Sequence, residues 1–353
     1  MRICKFNHKP NKQMKLLKSS ISVFLLGLFI FGLGQTAEAQ DRKEAVQTYN
    51  SAREMVQNGD YQKAIDQFKK AIEVGSQLGP QGQDIVERAK GKLPEVYRQM
   101  ALDKYRAFKQ NQTISNLDAT IDGFQKTKDV AEEYDNSEIS NQANGVINQL
   151  LYSKSIIQYK QQNYQDALAT LDEVIKNDPN YSKAYYQKGI VLKKIKGTEL
   201  ERSIDLFDKA IEVGQKTNDS QIVSQARKAA HDELVYRGAK AIEEKNFSRA
   251  KELLNKALEY NSSSADAHYR LAQAYNKTQD WQQAAEHSEK ALGFETGGRT
   301  DKAKIYFELG TAYQGLGQKD NACGAYNNAA YGNFKSPAEH QMEYELECEN
   351  TTG

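Results

Sequence analysis

The stretch GDYQKAIDQFKKAIE, Gly59 to Glu73, sets Ala64, Phe68 and Ala71 at i, i+4 and i+7. That spacing puts one bulky and two small apolar side chains on a single helical face. The same face returns five times: at Ala167, Leu171 and Val174; Ser203, Phe207 and Ala210; Ala250, Leu254 and Ala257; Ala284, Ser288 and Ala291; and Ala322, Tyr326 and Ala329. No stretch from 45 to 330 sustains strand alternation, so the body reads as helical throughout.

A small residue lies twelve positions before most of these copies: Ala52, Ser155, Gly238, Ala272 and Gly310. Small side chains there let an upstream helix approach the second one closely, and a break rich in Gly, Asn and Asp supplies the turn between them. The unit is a helix pair of about 34 residues that cannot bury its own apolar face and has to stack on its neighbours.

The sequence resembles the tetratricopeptide repeat family. Tyr306, Leu309, Gly310, Tyr313, Ala322, Tyr326 and Ala329 follow nearly all of that pattern; Leu271, Ala272, Tyr275, Ala284 and Ala291 follow much of it, and Leu151, Ala167 and Pro179 part of it. The resemblance covers about 42–333 and implies an all-α fold: a right-handed superhelical solenoid of stacked antiparallel helix pairs. Two spacings depart from the pattern, with extra residues expected in the turn from Lys194 to Gly197 and in the loop around Gly297 to Thr300. The stretch from Gly79 to Tyr134 fits least well, with Leu117, Ile121 and Phe124 as a degenerate second-helix face. Ile85 and Ala89, Ile139 and Ala143, and Ile222 and Ala226 extend three first helices at their N-termini, with Asn136 or Ser137 and Asp219 or Ser220 as caps.

In this family the first helices line the inner concave face, and inward residues lie one, four, five, eight and eleven places after the residue that opens a repeat. Carried onto this chain, those places give Lys183, Tyr186 and Gln187; Asp266, Tyr269, Arg270, Gln273 and Asn276; and Lys304, Phe307, Glu308, Thr311 and Gln314. Such a mixture suits an extended or helical peptide held by stacking and hydrogen bonds; the alternative for each residue is an ordinary wet helix face. The clamp with which some relatives hold a terminal carboxylate is incomplete, since Asn50, Arg270 and Lys304 stand in distant repeats.

The segment before the repeats has a different composition. A basic stretch precedes the apolar run ISVFLLGLFIFGLG, Ile21 to Gly34, and a small-residue site at Ala37 to Ala39. That order reads as a signal peptide over 1–39 cleaved after Ala39, in a run too short for an ordinary spanning helix of about 20 residues; the alternative is an uncleaved anchor. Residues 1–39 hold six of the 48 basic and one of the 47 acidic side chains, which leaves the body net acidic by four. This gives no electrostatic reason to expect nucleic acid or an anionic membrane as partner.

Searching for chemistry yields little. His8, His231, His268, His287 and His340 lack metal-ligand spacing, and no phosphate-cradling glycine loop or nucleophile elbow occurs. The expectation is no catalytic residue, no metal and no cofactor. Export leaves Cys323 and Cys348 in a compartment that permits a disulfide. A capping helix over 336–348, with Ala338, Met342 and Leu346 on its apolar stripe, would turn back so that its far end approaches Cys323. An ideal helix sets Cys348 about 200° round from Leu346, so the pairing needs a loosened last turn, and two free thiols are the alternative. The whole reads as an exported, periplasmic scaffold that binds a peptide segment or protein of a cell-envelope complex. A structural protein that self-associates, as a homodimer for instance, and an accessory subunit of an envelope enzyme are the alternatives.

Overall fold

A computed structural model describes residues 39–195 and 200–348. The expected export signal up to Glu38, and Lys196 and Gly197 of the turn from Lys194 to Gly197, lie outside the described residues. Every long element is an α-helix: α1 (39–57), α2 (Tyr61–Gln77), α3 (Gln83–Gln110), α4 (Ile114–Glu133), α5 (Ser137–Lys160), α6 (Tyr164–Asn177), α7 (Ser182–Leu192), α8 (Leu200–Lys216), α9 (Ser220–Glu243), α10 (Phe247–Tyr260), α11 (Ala265–Lys277), α12 (Trp281–Phe294), α13 (Arg299–Gly315) and α14 (Lys319–Ala329). Among the described residues there is no strand, and no helix is long and apolar enough to cross a membrane. The chain divides into two compact units at Lys154 and Ser155, inside α5.

In the first unit, Tyr49 and Ala52 of α1, Ala64, Ile65, Phe68 and Ala71 of α2, and Ile85, Ala89, Leu93 and Val96 of α3 bury one another. The Tyr49 and Phe68 rings meet edge to face at 5.5 Å. The stretch that fits the repeat least well nevertheless forms the next helix pair, and Leu117 and Phe124 of α4 are buried as its second-helix face.

In the second unit the repeats stack helix by helix, and the expected small positions bring the two helices of a pair together. A Cβ built on Gly238 would sit 2.6 Å from Leu254, and one on Gly310 would sit 2.8 Å from the Tyr326 ring. Ala272 and Ser288 meet the same demand with small side chains and are fully buried.

The turn that starts most second helices repeats as well. Gly59, Gln162, Lys245, Gln279 and Gly317 each stand two residues before the next helix with positive φ, between 60° and 80°. Asp135 and Asn218 take the same conformation two residues before α5 and α9. The turns that lead into these extended first helices are therefore built like the turns inside a repeat, which lets α4 with α5 and α8 with α9 run on as long hairpins. Asn136 and Asp219 cap the extensions by accepting hydrogen bonds from the Ile139 and Ile222 N–H groups, at 3.1 and 3.2 Å.

At the C-terminus the single helix expected over 336–348 is divided. An α-helix over Lys335–His340 passes into a π turn over Gln341–Glu345. Glu347 then takes φ 46°, and the Cys348 N–H donates back to the Met342 carbonyl at 2.8 Å. The wider turn and the reversal rotate Cys348 out of the register of an ideal helix. Cys323 and Cys348 form a disulfide with their Cα atoms 5.9 Å apart. Ala338, Met342 and Leu346 pack against Ala322, Tyr326 and Ala329, so the cap covers the apolar end of the last repeat.

Candidate functional site

Within the second unit α7, α9, α11 and α13 pack as successive neighbours, so the first-helix side chains share a face. At α11 and α13 the residues chosen from the sequence come together, bonded largely to one another. The Gln273 amide donates to Tyr269 Oη at 2.8 Å and reaches Glu308 Oε1 at 3.4 Å. Asn276 Nδ2 donates to the Glu308 carboxylate at 2.8 Å and to its backbone carbonyl at 2.9 Å. Lys304 Nζ lies 5.0 Å above the Tyr269 ring, a cation–π contact.

Burial pushes the Glu308 carboxyl above its ordinary range, against the two amide donors that favour its charged form. Burial first, and then the charge of Glu308, raise the Tyr269 phenol to about 12. Phe307 lies between Tyr326 and Phe334, with both ring distances 5.4 Å. Arg270 turns to Asp266 of its own helix at 3.2 Å. This junction ties two first helices together and leaves the edges of Arg270, Gln273, Lys304 and Phe307 half-exposed.

Lys183 and Tyr186 stand apart from that group, on α7. Lys183 is exposed, Tyr186 packs 6.1 Å from Phe207, and Gln187 is buried. Burial raises the Tyr186 phenol.

Between the two groups the structure shows a feature that the sequence reading missed. A cavity of about 510 Å³ is lined by Tyr159, Ile190, Lys193, Lys194, Glu233, Tyr236 and Arg237. Tyr236 is 61% exposed, a large aromatic side chain left open to solvent. Glu233 is only 8% exposed and accepts from Lys193 Nζ at 3.0 Å and Arg237 Nε at 2.9 Å. Burial would raise the Glu233 carboxyl, but these two cations outweigh it and hold the group below its ordinary value. The four basic and acidic lining groups sum to a net positive site.

The signal for this cavity lay in the register. Tyr159 and Lys193 stand eleven places after Asn148 and Ser182, and Ile190 eight after Ser182; counting back from Gly238 opens the α9 repeat at His231 and puts Tyr236 five places on. The same places, applied to α9, reach Tyr236.

Among the described residues no group of three or more His, Cys, Asp or Glu side chains could hold a metal ion. No curated protein sequence matches the chain. Among solved structures, a crystal structure of MamA protein is 20% identical, covering 56% of this chain and 96% of its own, with a TM-score of 0.35. A structure of YrrB, described as a TPR protein with an unusual peptide-binding site, is 16% identical over 55% of this chain and 91% of its own, with a TM-score of 0.34. A tetratricopeptide repeat protein from Parabacteroides merdae is 14% identical over 85% and 99%, with a TM-score of 0.25. Tetratricopeptide repeat models match residues 152–219, 241–295 and 303–331. With these matches on the stacked helix pairs of the second unit, that part of the chain is built of tetratricopeptide repeats.

Proposed function

We propose that the chain is an exported binding scaffold whose first-helix face in the second unit holds an extended segment of a partner protein in a cell-envelope complex. The observation that carries this reading is the cavity between α7 and α9, with Tyr236 exposed at its mouth and a net positive lining. An aromatic ring free to stack beside anchored cations suits a peptide carrying an apolar or acidic side chain. Lys183 and Tyr186 on one side, and Tyr269, Arg270, Gln273, Asn276, Lys304 and Phe307 on the other, extend the proposed face along neighbouring helices.

Self-association through the first repeat is less well supported. It calls for an exposed aromatic patch around Tyr49, Met55 and Tyr61, yet Tyr49 is buried and the other two pack against the core. The large apolar side chains exposed among the described residues, Tyr236, Phe294, Tyr331 and Tyr344, all lie in the second unit. Export rests on the basic, apolar and small-residue order of residues 1–39, and a disulfide between Cys323 and Cys348 suits an oxidising compartment. N-terminal mass analysis of native material should find Gln40 first.

Capture from intact envelopes tests the binding face. Tyr236→Ala should lose most of the protein captured by the wild type while keeping the helical spectrum, and Arg270→Glu with Tyr269→Ala should weaken capture less. Unchanged capture by folded Tyr236→Ala would overturn the assignment.

A further inference from the structure

The long hairpin of α8 and α9 outruns its neighbour: α10 ends at Tyr260 and α11 begins at Ala265, with no matching extension. The hairpin is tightly closed, since a Cβ on Gly214 would sit 2.9 Å from Val223. Its flank therefore stands as a wall above the short turn at Tyr260 and Asn261. Between wall and turn lies a cavity of about 890 Å³, within the range of small-ligand sites. Val223, Arg227 and His231 lie at i, i+4 and i+8 along the wall, with Lys228 and Asp232 beside them.

Two polar groups here lack partners. Arg227 is half-buried and makes no ion pair or hydrogen bond among the described residues. The Nε2 atom of His231 is buried with no hydrogen-bond partner, while its Nδ1 lies 2.9 Å from the Asp232 carboxylate. The other charges of the lining are already matched, because Lys228 Nζ sits 2.5 Å from Asp232. One guanidinium charge thus remains uncompensated in a partly desolvated wall, a situation that favours an anionic guest.

We infer that this cavity is an anion-binding site that takes a carboxylate, with Arg227 as its charge partner. The planar guanidinium matches a carboxylate with two parallel hydrogen bonds. The site lies at the hairpin wall and does not depend on the peptide face around Tyr236.

Calorimetric titration of the full chain decides it, with glutarate, acetyl-AAEAA-amide and acetyl-AAQAA-amide as probes. Saturable binding of glutarate or the Glu peptide is expected, with the Gln peptide about tenfold weaker or worse and Arg227→Gln lowering affinity about tenfold or more. Tyr236→Ala should leave this binding unchanged, which separates the site from the peptide face. Glutarate binding as tightly as the Glu peptide would point to a free dicarboxylate, and a clear gain for the peptide to an acidic chain segment. The inference is overturned by no saturable binding of either carboxylate up to about 10 mM, by equal binding of the Glu and Gln peptides, or by unchanged affinity in a folded Arg227→Gln protein.

Discussion

His268 and His287 are buried against each other, with their Nδ1 atoms 2.9 Å apart, and His268 Nε2 lies 3.2 Å from the Ser262 carbonyl oxygen. If His268 gives its Nε2 proton to that carbonyl, its Nδ1 accepts from His287, and one proton serves the pair. Burial lowers both side chains, and it lowers His287 to about 4, helped by His268 and Lys290. An unfolded histidine takes its proton near pH 6.5, so the unfolded chain binds more protons than the folded one below that point. The pair's contribution is complete above about pH 6.5 and is lost as pH falls toward 4. Denaturant midpoints measured across that window should fall more steeply for the wild type than for His287→Gln, by on the order of 3 kcal/mol at the acid end. Gly310 carries a second residue-scale prediction. Its absent Cβ leaves room for the Tyr326 ring at 2.8 Å, and Gly310→Leu should cost about 1 to 3 kcal/mol in equilibrium unfolding. The twelve-residue offset made it legible that a small position of the first helix lies close against the second; that it meets the bulky residue of its own pair, sixteen places on, emerges only from the fold. The histidine pair was not legible, since nineteen residues separate two members of different helices and nothing in their spacing sets the angle of their rings.

At the scale of elements, the cap shows where an ideal helix misleads. Ala338, Met342 and Leu346 gave its apolar stripe correctly, and the pairing of Cys323 with Cys348 followed from an antiparallel return. The π turn did not show in the sequence, because it depends on how the segment settles against Tyr326 and Ala329 and not on local propensity. The disulfide closes a loop across 25 residues and so restricts the unfolded chain; reduction should cost about 3 kcal/mol. Cys323→Ser with Cys348→Ser should therefore lower the unfolding midpoint, and adding reductant to this variant should change nothing further. The long hairpins were legible in part. Three polar breaks followed by Ile and Ala predicted the extended first helices, but the cavity at the hairpin wall depends on a comparison with the shorter neighbour, which single-helix patterns do not contain.

For the whole chain, the division inside α5 sets the last prediction. Stability in stacked repeats is largely a sum of each helix pair and its interfaces with neighbours, so the place of a cut matters more than the number of residues removed. The boundary between units falls at Lys154 and Ser155, yet α5 runs from Ser137 to Lys160. A fragment beginning at Ser155 would keep only the last six residues of that helix, too few to pay the cost of helix nucleation in isolation. It would also carry Gln158, whose side chain accepts a buried hydrogen bond from Thr170 of α6 at 2.9 Å, on a segment free to fray. A fragment beginning at Ser137 retains the whole helix and the first-turn Glu138 that favours its N-terminus. The fragment 137–348 should therefore unfold cooperatively with a far-ultraviolet spectrum proportional to its helices, whereas 155–348 should melt earlier and lose more helical signal than the missing residues account for. Identical melting of the two fragments would mean that α6 and its followers draw no stability from α5, and would place the working boundary of the repeats after Lys160.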